Sequence, residues 1–101
     1  MSNMLAQLEG IIRERKRSPQ PGSYTNRLFD NGVNRIAQKV GEEATEVIVA
    51  ALGQGREEQI GELSDLFYHT LVLMAALDIT LDDVAVELEC RHIRKTEQSD
   101  E

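Results

Sequence analysis

Two short acidic patterns stand out for the chemistry they can do. Glu42-Glu43-Ala44-Thr45-Glu46 and Glu62-Leu63-Ser64-Asp65 each place two carboxylates three residues apart, Glu43 with Glu46 and Glu62 with Asp65. On a helix that spacing turns the side chains by about 60°, so each pair shares a face. Like charges this close cost about 0.2–0.5 kcal/mol even in solvent, and four gathered beside a core cost more unless a cation neutralises them. An all-oxygen donor set suits a hard cation, Mg²⁺ first and Mn²⁺ second. Mg²⁺ rarely fills its coordination with protein alone, which points to a phosphate-bearing substrate. The plainer alternative is a solvated acidic face paired with Lys39 or Arg35. A carboxylate-bridged di-iron bundle needs two Glu-x-x-His motifs, and only Glu89-Cys90-Arg91-His92 fits.

A phosphate chain bound at such a site keeps excess negative charge. Arg13, Arg15, Lys16 and Lys39, with Arg91 or Arg94, are the cations available to meet it. The basic run ending at Arg17 has a second reading, because cations favour the C-terminal end of a helix. His69 reads three ways: a hydrogen-bonded histidine at the core edge, a group that orients Asp65, or a substrate contact. Cys90 and Met74 read most simply as core.

The elements that must position these groups are helical. Met4, Leu5, Leu8, Ile11 and Ile12 recur at helical spacing over residues 4–17. Ser18-Pro19-Gln20-Pro21-Gly22 ends that helix. A short helical segment fits between Ser23 and Gly32. A second long helix is predicted from about Asn34 to Leu52, with Ile36, Val40, Ala44, Val47, Ile48 and Ala51 as its apolar face. Gly53-Gln54-Gly55 leads into a third, about Arg56 to Leu77, striped by Ile60, Leu63, Phe67, Thr70, Leu71 and Met74. Thr80 and Asp83 have capping-box spacing for a fourth helix carrying Val84, Leu88 and Ile93 to about Lys95. No stretch alternates as a strand does. Short connections make consecutive helices antiparallel, so the fold expected is an all-α bundle of four main helices plus a short helical segment. Residues 1–95 form one domain and residues 96–101 a polar, frayed tail. The hairpin of the second and third helices brings all four carboxylates toward one cleft.

Composition narrows the function. The chain has 101 residues, a net charge of −7 and 4% aromatic content. An acidic chain without Trp lacks the basic footprint and stacking platforms of a nucleic-acid binder. Its longest apolar run, Leu71 to Leu77, is far short of the roughly 20 residues that span a bilayer, so neither nucleic acid nor membrane is an expected partner. One cysteine excludes a disulfide framework within one chain, and a cytoplasmic setting is expected. The charge is segregated: residues 1–39 carry seven basic and three acidic side chains, residues 40–90 one basic and twelve acidic. That division suits a site handling both a cation and an anion.

Ser23-Tyr24-Thr25, Lys39-Val40-Gly41-Glu42-Glu43-Ala44-x-Glu46-Val47, Glu62-Leu63-x-Asp65-Leu66-x-Tyr68-His69 and Glu87-Leu88-x-x-Arg91 together resemble the phosphoribosyl-ATP pyrophosphohydrolase family of histidine biosynthesis, from about Leu5 to Arg91. The acidic part alone marks a wider all-α, MazG-like superfamily, so a housecleaning nucleoside triphosphate pyrophosphatase of MazG type is the alternative function. The resemblance implies a MazG-like bundle that pairs into a homodimer or higher homo-oligomer. It implies Mg²⁺-dependent hydrolysis of phosphoribosyl-ATP to phosphoribosyl-AMP and pyrophosphate. It also implies the monofunctional form rather than the fusion with the next enzyme of the pathway. Under that reading Glu43, Glu46, Glu62 and Asp65 hold the metal, and Glu46, with Glu43 next, is the candidate base. Lys39 with Arg15 or Lys16 balances phosphate charge, and Glu42 orients Lys39 or a ligand. Ser23, Tyr24 and Thr25 surround a phosphate or ribose, or else serve only as cap and packing. His69 and Arg91 complete the expected substrate contacts.

Overall fold

The computed structural model describes residues 3–99, with side chains to Lys95, as four helices: α1 (Met4–Arg17), α2 (Tyr24–Gly53), α3 (Arg56–Ala76) and α4 (Leu81–Ser99). No strand occurs among the described residues. The expected short segment and second helix are one element, α2, broken at Gly32 (φ 87°, ψ 170°). That backbone region is closed to residues with a Cβ, so the glycine permits the chain to change direction without leaving the helix pair. α4 runs four residues past the expected end at Lys95; the last tail residues, 100 and 101, lie outside the described residues.

Local chemistry accounts for the ends. Ser23 caps α2, its Oγ accepting from the Asn26 N–H at 3.2 Å. Gln59 donates to the carbonyls of Ala50 and Gln54, both at 3.1 Å, closing the turn between α2 and α3. Glu57 and Glu58 sit in the first turn of α3, where negative charge suits the helix dipole. After α3 the chain reverses through Asp78 (φ 58°), a left-handed position that Asp tolerates better than most residues. Thr80 and Asp83 form the expected reciprocal cap, at 3.0 and 2.9 Å. The Leu81 N–H donates to Glu9 at 2.7 Å, pinning the start of α4 to α1.

α2 and α3 form the main pair, and they are antiparallel: Tyr24 meets His69, and Ala50 meets Gln59. α1 lies across both, mostly on α3. The core sits at one end, built from Ile12, Leu28, Ile36, Leu71, Val72 and Ala75, with Leu8, Phe29, Tyr68 and Met74 against it. Several residues of the expected apolar faces are exposed instead. They include Met4, Leu5 and Ile11 of α1, Ile48 and Ala51 of α2, Ile60, Leu63 and Phe67 of α3, and Val84, Leu88 and Ile93 of α4. Cys90, expected in the core, is exposed too. The physical reason is shared. α4 makes little contact with the other helices, so nothing among the described residues covers these stripes. The radius of gyration is 16.2 Å, against about 13 Å for a compact chain of 100 residues.

Candidate active site

The second turn-pair of the α2–α3 hairpin carries the acidic chemistry. One carboxylate oxygen from each of Glu43, Glu62 and Asp65 lies within 4.8 Å of the others. Glu43 projects from α2 and the other two from α3, so the cluster exists only because these helices are in register. Lys39, one turn before Glu43, places Nζ 3.4 Å from Glu43 and 3.7 Å from Glu42. Glu42 turns the other way, to Arg35 at 3.6 Å and Gln38 at 3.1 Å. It thereby holds Lys39 and Arg35 rather than joining the cluster.

The electrostatics fit a site built for a cation. Partial burial raises the pKa of Glu62 above the ordinary carboxylate value, and the neighbouring charges of Glu46, Asp65 and Glu43 raise it further. Glu46 therefore lies close enough to act on Glu62, although it is exposed and outside the group of three. Three carboxylate oxygens within 4.8 Å of one another could close on a single hard cation. The donor set is all oxygen, hard and anionic, as Mg²⁺ or Mn²⁺ prefers.

The other expected site residues fall in three places. Tyr24, Thr25 and His69 form a hydrogen-bonded group between α2 and α3: Tyr24 Oη is 3.0 Å from His69 Nε2, and Thr25 Oγ1 bonds Tyr68 Oη. Ser23 is occupied as the cap of α2. Lys16 donates to the Ala75 carbonyl at 2.8 Å and pairs with Asp78 at 3.1 Å, so it closes the C-terminal end of α3. It lines a cleft of about 470 Å³ with Gly10, Arg13, Glu14, Arg17 and Asp78, away from the carboxylates. Arg15 is half-buried on α1, its carbonyl accepting from Asn26 at 2.7 Å. Arg91 is on α4, bonded to Glu87 at 3.1 Å and exposed. Two groups escaped sequence reasoning. Tyr68 was not singled out as a partner for Thr25, and Asn26, buried and bonded to Gln20 and Arg15, ties α1 to α2. A polar residue three positions after a cap was the available signal for Asn26.

Residues 5–92 match the family described as phosphoribosyl-ATP pyrophosphohydrolase. The chain belongs to that family. A phosphoribosyl-ATP pyrophosphatase of Pyrobaculum aerophilum is 55% identical over 84 residues, covering 83% of this chain and 89% of the relative. One from Listeria innocua is 48% identical over 97 residues, 96% and 93% of the two chains. The histidine biosynthesis bifunctional protein HisIE of Oceanobacillus iheyensis is 46% identical over 98 residues. The match takes in 97% of this chain but only 46% of that longer protein. As a phosphoribosyl-ATP pyrophosphohydrolase family member, the chain carries its carboxylate cluster inside the matched span.

Proposed function

We propose that this chain hydrolyses phosphoribosyl-ATP to phosphoribosyl-AMP and pyrophosphate in histidine biosynthesis, with Mg²⁺ as cofactor. The observation that carries the reading is the meeting of Glu43, Glu62 and Asp65 on two helices, within a span that matches this family. Those three residues hold the ion, with Glu46 beside them. When bound, Mg²⁺ offsets charge on the phosphate oxygens and makes water a better nucleophile at neutral pH. Lys39 neutralises Glu43 and faces the same region, where it can balance phosphate charge. Glu46 is the group left to accept a proton, because it stands next to Glu62 without belonging to the three. Water attacks a phosphorus of the α–β linkage, its proton passes to Glu46, and the bond to the departing pyrophosphate breaks. Arg15, whose backbone carbonyl accepts from the Asn26 side chain at the start of α2, is the candidate for a second phosphate.

The reading extends to assembly. The exposed apolar stripes of α2, α3 and α4 suit a MazG-like homodimer in which a second copy covers them, and that would bring Arg91 of α4 toward a site. The fold offers no helix long and apolar enough to cross a membrane among the described residues, in keeping with a cytoplasmic enzyme. The test is pyrophosphate release from phosphoribosyl-ATP with and without Mg²⁺, together with rescue of a histidine auxotroph. Fast turnover of ordinary nucleoside triphosphates beside none of phosphoribosyl-ATP overturns the substrate assignment in favour of a MazG-type activity.

A further inference from the structure

His69 is a buried polar side chain between α2 and α3. It is 6% exposed, and both ring nitrogens are engaged. Nδ1 is 2.7 Å from the carbonyl oxygen of Asp65, and Nε2 is 3.0 Å from Tyr24 Oη. A carbonyl can only accept, so Nδ1 carries the hydrogen. In the neutral ring Nε2 then accepts, and the Tyr24 hydroxyl donates to it. The relay therefore runs from the Tyr24 hydroxyl, through the imidazole, to the backbone of the residue that supplies the third carboxylate.

The surroundings hold this relay in one arrangement. The Tyr68 and His69 rings meet edge-on with centroids 5.2 Å apart, and Tyr24 stacks on Tyr68 at 6.3 Å. Thr25 bonds the Tyr68 hydroxyl. The first turn of α2 is itself bolted to α1 through Asn26, which receives the Gln20 N–H at 2.8 Å and donates to the Arg15 carbonyl at 2.7 Å. Asp65, by contrast, is the exposed member of the carboxylate group, whereas Glu43 and Glu62 are half-buried. Its position depends most on how α3 is rotated at that turn.

We propose that Tyr24 and His69 are positioning residues: their hydrogen-bonded relay sets the rotation of α3 at Asp65 and so the geometry of the Glu43–Glu62–Asp65 cation site. Their polar atoms are directed at each other and at the backbone. This rests on the proposed Mg²⁺ site, and it assigns the pair a role distinct from contact with the substrate. Groups that orient the ligands of a metal typically change its affinity by about 10-fold or more when removed.

The experiment uses the full chain and Mn²⁺ alone as probe, read by calorimetry or electron paramagnetic resonance without nucleotide. Tyr24→Phe removes one oxygen from a ring that is partly exposed, so folding is preserved. His69→Asn is the second variant; it keeps a donor for the Asp65 carbonyl and loses the acceptor for Tyr24. Expected for both is Mn²⁺ affinity weakened by about 10-fold, with KM for phosphoribosyl-ATP unchanged at saturating metal and kcat recovered there. Unchanged Mn²⁺ affinity with a raised KM overturns the proposal in favour of a substrate contact. A lowered Tm with affinity, KM and kcat all unchanged overturns it in favour of a purely structural role. A wild-type chain that binds no Mn²⁺ overturns both this proposal and the metal site. One that binds Mn²⁺ without releasing pyrophosphate overturns only the substrate assignment, since the affinity readout still decides the relay.

Discussion

The two ends of the α2–α3 hairpin are built from similar residues and are in opposite physical states. At the end near α1, Ile36 and Val72 are fully buried, and every connection is capped or pinned. At the turn end, Ile48 is 58% and Leu52 84% exposed, and four acidic side chains crowd one another on the adjoining face. The first end stabilises the chain, whereas the second carries interactions that a lone chain leaves unsatisfied. Those interactions are like-charge repulsion, which a cation would relieve, and exposed apolar surface, which another protein surface would relieve. The Tyr24–His69 hydrogen bond stands at the border, tying the packed end to the backbone carbonyl of Asp65 at the start of the open one.

The sharpest way to break that contrast is Glu62→Gln. If Glu62 holds the proposed ion, activity should fall by more than about 100-fold, since a metal ligand matters more than the groups that orient it. Thermal melts without metal should show no loss of stability, because one repelling charge is gone. A variant that is both active and less stable would place Glu62 on the packed side of the comparison. Next in size, Ile36→Ala should cost about 2–5 kcal/mol in chemical denaturation, whereas Leu52→Ala should stay within about 0.5 kcal/mol when the chain is dilute. Equal costs would erase the division.

Intermediate in effect is Lys16→Met, which removes the donor to Ala75 and the partner of Asp78. A loss of about 1 kcal/mol in stability is expected, with Mg²⁺ affinity unmoved; a selective rise in KM would assign Lys16 to substrate instead. The smallest effect is the pH dependence of Glu62. Its pKa is raised in the folded chain, so its contribution to metal-free stability is fully present below the ordinary carboxylate pKa. That contribution is lost as pH rises through the raised value. Mg²⁺ held as proposed would reverse the preference, because it would bind the ionised carboxylate: its affinity should fall as pH drops through the same value. The difference between wild type and Glu62→Gln across pH, measured by melts with and without Mg²⁺, isolates this group from the other carboxylates.

Much of the architecture was legible because helices announce themselves locally. The 3.6-residue period, the prolines after Arg17, the Gly-Gln-Gly turn and the Thr80–Asp83 cap each depend on neighbours in sequence, and each is found. The same periodicity marked Phe67, Leu88 and Ile93 as apolar faces without saying what covers them. A period reports that a face exists, while burial depends on a second surface. Glu42 and Glu43 illustrate the limit for the site. They are adjacent in sequence, yet one joins the carboxylate group and the other turns to Arg35.

The residue types and spacings alone established an all-helical chain, two carboxylate pairs each on one helical face, and a family resemblance that the residue 5–92 match bears out. Which carboxylates meet, where Lys16 reaches, and that Tyr24 finds His69 across 45 positions emerged only with the helices assembled. Spacing along one helix sets angles within that helix. The register of α3 against α2 depends on packing among Leu28, Ile36, Leu71 and Val72, residues far apart in sequence whose complementarity no local pattern encodes.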